Sequence, residues 1–383
     1  MVVGDFMLKK ERNSNFELMR IISILLIILC HIINFGGLYN SCPNQALRII
    51  FEIVMFMTLV HVNSFVMLSG YYQSKSKFRF SKLLKIIIQV IFYSSVIYFI
   101  AVKIGWIDSY NIVTIISNFL PSIVSNYWFI NVYIITYIFS DYINVFINKL
   151  SQKEFKTFLI VSFVVLSFLP YITGLKFLDN TGYNFFNFIF IYMIGAYLRK
   201  YPLKDSYHFK YSSTNGYRLL LFLIFCAMFF LNYITNNFAN QIVGMSNIFS
   251  EISTRVLNTK FTYSTPFVII QTISYFELFN TVKLKSKIVN ILSTSVIGVY
   301  LFHENPIMRE HLYLLLHVTY KTITGYSDII WVVICILWIF IMGTIVEWSR
   351  IIFEKVLLKI PCVNKIIISI KKYLDSFNYH INW

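Results

Sequence analysis

"RIISILLIILCH", residues 20–31, runs from a guanidinium to an imidazole through a nearly unbroken row of hydrocarbon side chains. Such a row is too apolar for a helix that turns one face to water. With its flanks it is long enough to fill the hydrocarbon core of a bilayer, which takes about 20 residues. Eleven residues separate the two polar ends, and at 100° per residue that is three turns plus about 20°. Arg20 and His31 therefore project from one stripe of an α-helix, roughly 16 Å apart along its axis. Glu17 stands three residues before Arg20 and can pair with it. Taken alone, the stripe has a plain structural account, with Arg20 snorkelling to headgroups and His31 packed in the core. An ionisable group inside a spanning helix is nonetheless a functional candidate.

The rest of the chain extends this reading. Its 383 residues are 57% hydrophobic, 19% aromatic and only 13% charged, with a mean hydropathy of +0.67. Windows of spanning length fall at roughly 17–37, 47–70, 84–104, 127–147, 157–173, 184–198, 217–236, 262–281, 287–304 and 328–349. The expectation is an all-α integral membrane protein of about ten transmembrane helices, with both termini cytoplasmic. It has a short cytoplasmic N-terminal segment (1–16), a transmembrane domain (17–350) and a basic cytoplasmic tail (351–383). The first span lacks a small-residue cleavage pattern and reads as a retained helix rather than a signal peptide.

A formal charge of +16 invites a nucleic-acid partner, but the placement of the charge argues against one. Lysines and arginines cluster on alternate connections, leaving Arg48, Lys103, Lys176, Arg255, Lys260, Arg309 and Lys321 for the opposite side. That asymmetry is what the positive-inside rule produces. The five cysteines, Cys30, Cys42, Cys226, Cys335 and Cys362, show no metal-ligand spacing, and no metal is expected.

Other polar groups sit in short apolar contexts. In "FMTLVHVNSFVMLSGYY", His61 and Ser64 share a face, while the small pair Ser69-Gly70 suits close helix packing better than it suits a nucleophile, since no base stands nearby. "QSKSKFRFSKLLK" sets Arg79 three residues before Lys82 and Lys82 three before Lys85, so either pair can point the same way from a helix entering the membrane. This is lipid-facing charge, or a cationic mouth for the phosphates of a donor. Trp128 in "NYWFINVY" fits an interfacial aromatic belt. In "GVYLFHENP", His303 and Glu304 end a hydrophobic helix just before Pro306. Taken alone, Glu304 reads as a water-exposed helix end.

The order of these landmarks is similar to that of acyltransferase family 3, the integral membrane acyltransferases. It most resembles members of Gram-positive bacteria that O-acetylate capsular or wall polysaccharide. The resemblance rests on "FELMRIISILLIILCH", "FVMLSGYY" with the basic loop after it, "YWFINVY" and "GVYLFHENP", and covers about residues 14–350. It implies a catalytic role for His31 with Arg20, and acyl-CoA contacts at the basic loop. There the family's two arginines correspond to Arg79 and Lys82, or to Lys82 and Lys85. A lysine cannot reproduce the arginine fork. Glu17, His61, Ser69, Trp128, His303 and Glu304 are the supporting candidates. The implied donor is acetyl-CoA. The implied acceptor is a cell-surface polysaccharide or lipid-linked oligosaccharide, in a multi-pass protein of the bacterial plasma membrane surrounded by lipid. His31 would serve as general base toward the acceptor hydroxyl or carry the acetyl group itself. Two rivals remain open at this level: a transporter or flippase of a lipid-linked sugar, which calls for interrupted helices near the midplane, and a non-catalytic scaffold of the same fold.

Overall fold

A computed structural model describes residues 12–107, 127–174, 181–205, 214–244 and 248–376. Lys9, Lys10, Lys176 and Lys210, among the basic residues read from the sequence, and the ends of the N-terminal segment and the tail lie outside them. Among the described residues every regular element is helical. Those of six or more residues, in chain order, are α1 (Ser14–Phe35), α2 (Gln45–Thr58), α3 (Val60–Gln73), α4 (Phe80–Lys103), α5 (Trp128–Ile138), α6 (Ser140–Lys149), α7 (Gln152–Phe163), α8 (Phe185–Lys200), α9 (Thr214–Ile242), α10 (Ile248–Asn258), α11 (Pro266–Thr281), α12 (Lys287–Leu292), α13 (Val296–His303), α14 (Pro306–Leu315), α15 (Asp328–Leu357) and α16 (Pro361–Asp375). A π-helical turn at Val164–Phe168 carries α7 on to Thr173.

Helical segments stand at all ten of the windows read from the sequence. Six are long and apolar enough to cross a membrane, and seven if the pair α5 and α6, bent by 54°, counts as one span. The other three are shorter. α8 and α11 have 16 residues each, about 24 Å against a hydrocarbon core of about 30 Å, and the stretch Lys287–His303 is built from α12, a 3-10 turn at Ser293–Ser295 and α13. Membrane-spanning helices are thus present, in a number between six and the ten expected.

Helix boundaries follow local chemistry. Ser151 and Glu154 form a reciprocal capping box at the start of α7. Asn184, Thr265, Ser286 and Asn305 each accept a backbone N–H at the start of α8, α11, α12 and α14. Pro266 and Pro306 then occupy first-turn positions, where the missing N–H costs nothing.

The chain divides into two compact units. The first comprises Met1–Asn44, Phe78–Asn131 and Lys283–His380, hence α1, α4 and α12 to α16. Its interior holds a charged cluster. The Glu347 carboxylate accepts from Gln89 Nε2 at 3.1 Å, Tyr93 Oη at 2.9 Å, and Arg350 Nε and Nη2 at 3.0 and 2.7 Å. Arg350 also reaches Glu354 at 2.9 Å. Gly298 of α13 leaves room for this: a Cβ there would come within 2.6 Å of both Glu347 and the Tyr93 hydroxyl.

The second unit comprises Gln45–Lys77 and Val132–Val282. Its tightest packing joins α3 to α8, where Gly70 lies on the Tyr192 carbonyl and Gly195 on that of Met67, so a Cβ at either glycine would overlap backbone. This is the close approach that small residues allow, as the Ser69-Gly70 reading expected.

Candidate active site

The last turn of α1 and the corner between α13 and α14 assemble a chain of polar groups within the first unit. His31 precedes the end of α1 by one turn. At the corner, "HENP" is used residue by residue. His303 ends α13, Glu304 is its C-cap, Asn305 caps α14 through Oδ1 to the Ile307 N–H at 3.0 Å, and Pro306 begins α14. Tyr127 braces the corner by donating to the Leu301 carbonyl and accepting from Asn305 Nδ2, both at 3.0 Å.

His31 Nδ1 lies 3.0 Å from Glu304 Oε2. The approach is off the N–H direction, so neither atom has an aligned hydrogen bond, and the contact is electrostatic. Catalytic hydrogen bonds commonly align only when substrate is bound. The second oxygen of Glu304 accepts from Arg309 Nη1 at 3.1 Å. The Arg309 guanidinium also sits 4.9 Å from the centre of the Phe35 ring, which is 5.3 Å from the His31 ring and stacks on Tyr313. Glu304 is therefore not the water-exposed helix end that its position suggested. It is 3% exposed, which is sustainable because two cationic or hydrogen-donating partners replace its hydration.

His303 joins the same cluster, its ring 5.3 Å from that of His31. Its Nδ1 lies 2.6 Å from the Val299 carbonyl. A carbonyl only accepts, so Nδ1 carries the proton and Nε2 keeps the lone pair. That Nε2 is buried and has no hydrogen-bond partner. His31, His303 and Glu304 each offer a ligand atom within 4.8 Å of the others, and they are the group among the described residues able to hold a metal ion. Arg309 already places a positive charge beside the carboxylate of that set.

The other candidates fall elsewhere. Arg20 pairs with Glu17 at 3.0 Å, three residues apart on α1 as expected. Arg79 is the N-cap residue of α4, and Arg79, Lys82 and Lys85 are all exposed at that end of the helix. Trp128 is half-buried at the start of α5. His61 and Ser69 belong to the second unit. The His61 ring is held between the Thr58 carbonyl and the Tyr263 hydroxyl, and the Ser69 hydroxyl donates back to the Phe65 carbonyl at 3.0 Å. Both have structural partners. The sequence reading missed Phe35, Tyr313 and the pairing role of Arg309. A signal existed for the last, since "ENPIMR" sets an arginine five residues after a carboxylate, on the first turn and a half of a proline-started helix.

A bundle of apolar helices carrying an imidazole and a guanidinium on either side of a buried carboxylate is a membrane protein with a centre suited to moving a proton. A family model described as an acyltransferase domain matches residues 13–348, nearly the whole chain. The protein belongs to that family, acyltransferase family 3, as the landmarks suggested, and acyl transfer in the membrane is the activity the membership indicates. No curated protein and no solved structure matched the chain.

Proposed function

We propose that the protein transfers an acetyl group from cytoplasmic acetyl-CoA to a hydroxyl of a cell-surface polysaccharide or its lipid-linked precursor, in the plasma membrane of a bacterium. The observation that carries this is the contact between His31 and Glu304 in a chain of this family. On this reading ten helices cross the bilayer and both termini are cytoplasmic, so the basic end of α4 and Arg20 face the donor while His31 stands toward the outside.

The acetyl donor docks with its phosphates near Arg79, Lys82, Lys85 and Arg20, and its pantetheine arm lies along the roughly 16 Å between Arg20 and His31. The Glu304 carboxylate faces the Nδ1–H of His31, which keeps its proton, so it fixes the tautomer and steadies the imidazolium that forms when the Nε2 lone pair takes the proton of the acceptor hydroxyl. The oxygen then forms the new ester bond as the thioester C–S bond breaks, and the proton ends on the CoA thiol. Arg309 holds Glu304 in place through its other oxygen. An acyl-histidine intermediate would use the same lone pair.

The test is the O-acetyl content of surface polysaccharide, by proton NMR before and after mild base, in a deletion strain complemented with the wild type or with His31→Ala. Acetyl signals that vanish on deletion and return only with the wild type support the reading. Polymer output that falls with acetylation per sugar unchanged would replace it with a transporter.

A further inference from the structure

Beside His31 the first unit has a cavity of about 310 Å³, lined by Phe35, Arg309, Glu310, Tyr313, Leu314 and Thr319. Small-ligand clefts start at roughly this size. Nothing in the proton-transfer chain requires it, yet it shares Arg309 and Phe35 with that chain. Phe35 is in ring contact with the imidazole, and Arg309 is hydrogen-bonded to the carboxylate that orients it. A ligand in the cavity is one side chain away from the His31 ring.

The lining has two characters. Phe35 and Leu314, 40% and 64% exposed, make one part apolar. Arg309, Glu310 and Thr319 supply a donor, an acceptor and a group that does both. The Tyr313 hydroxyl is buried with no hydrogen-bond partner. Burial, and then the nearby Glu304 charge, push this phenol well above the ordinary tyrosine value, so it stays a donor at neutral pH. Apolar edges together with donors and acceptors suit a pyranose ring, which presents C–H faces and hydroxyl rims. The charge balance narrows the class further. The one guanidinium of the lining is bonded to Glu304 and accompanied by a second carboxylate, Glu310, so a phosphate or a nucleotide gains little here and an uncharged polyol fits best.

We propose that this cavity is the acceptor subsite, which holds one uncharged pyranose residue and presents a hydroxyl of it to His31. The proposal rests on the acyltransferase reading above and names where, and through which side chains, the acceptor is held.

Binding and turnover test it separately. The full-length protein in nanodiscs is mixed, without any donor, with repeat-unit oligosaccharides from the de-O-acetylated surface polysaccharide of the producing strain, and saturation-transfer NMR reads binding. Wild type and His31→Ala give transfer to sugar protons. Leu314→Trp, which fills the cavity from an exposed position, abolishes it, and Glu310→Gln or Thr319→Val weakens it by about tenfold, the scale of one lost hydrogen bond. With acetyl-CoA added, Glu310→Gln and Thr319→Val raise the half-saturating acceptor concentration about tenfold and leave that for acetyl-CoA unmoved. Binding that survives Leu314→Trp and both polar changes overturns the subsite. Displacement of the sugar signal by glycerol phosphate but not by a neutral pyranoside overturns the class and assigns the cavity to a lipid headgroup. Binding as described with no thiol release from acetyl-CoA leaves the subsite standing and overturns the acyltransferase reading instead.

Discussion

Glu304 divides its two oxygens between His31 and Arg309, so the three side chains act as one unit and their substitutions should not add. His31→Ala is expected to lower acetyl transfer at least 100-fold, the lower end of what a positioned general base contributes. Glu304→Gln should lower kcat by about tenfold or more, with the KM for acetyl-CoA nearly unchanged, because it removes the charge that steadies a protonated His31. Combining it with Arg309→Ala should cost much less than the product of the two. Thiol release from acetyl-CoA in proteoliposomes measures all three. The lone pair on His303 makes the metal question answerable as well: activity that persists after dialysis against a strong chelator fits proton transfer by side chains alone, and activity that falls and returns with zinc would assign His31, His303 and Glu304 to an ion. At this scale the sequence was half legible. Arg20 with Glu17, and His31 as a polar group in an apolar stripe, follow from helical periodicity. The meeting of His31 with His303 and Glu304 joins α1 to a corner more than 270 residues later, and no local spacing encodes it.

Elements carry the next set of consequences. The corner at Asn305-Pro306 was readable as a helix stop, because proline ends what precedes it. That the same pair starts α14, and so turns Arg309 back toward Glu304, needed the cap to be seen. Small residues were likewise readable at Ser69-Gly70, but not at Gly298, whose neighbour is the buried Glu347 cluster. Glu347→Ala leaves the Arg350 guanidinium, itself 9% exposed, with only Glu354 to pair with. It should destabilise the fold by about 3–5 kcal/mol, seen as a lower Tm in detergent. Replacing Glu347 by Gln, which keeps the shape and part of the hydrogen bonding, should cost less. The three short helical segments show why a hydropathy count and a length criterion give different numbers of spans. A 16-residue apolar helix and a 30-residue one score alike in a sliding window, yet only the longer meets the full hydrocarbon thickness by its own length.

For the whole molecule, the positive-inside asymmetry makes a sharp statement. Cysteines placed singly at Lys149 and at Lys283, in a background without the native five, should be labelled by a membrane-impermeant maleimide only in inverted vesicles. One placed at Lys321 should be labelled in intact cells. Labelling of all three from the same side would undo the ten-span topology. Lys149 ends the bent α5–α6 pair and Lys283 follows α11, so an error of one span between them would show directly.

Between Arg20 and His31, α1 offers only Ser23 and Cys30 as side chains able to pass a proton, and this gives the proposed reaction an electrical consequence. With His31 handing the hydroxyl's proton to the CoA thiol beside it, transfer moves no net charge; were the thiolate protonated from the cytoplasm and the hydroxyl's proton released outside instead, one unit of positive charge would cross part of the membrane field. Over roughly half the bilayer that is about 1 kcal/mol per 100 mV, a several-fold change in rate. An inside-negative potential imposed on proteoliposomes should therefore leave the rate unmoved, whereas a rate that it slows would mean that the thiol draws its proton from the cytoplasm.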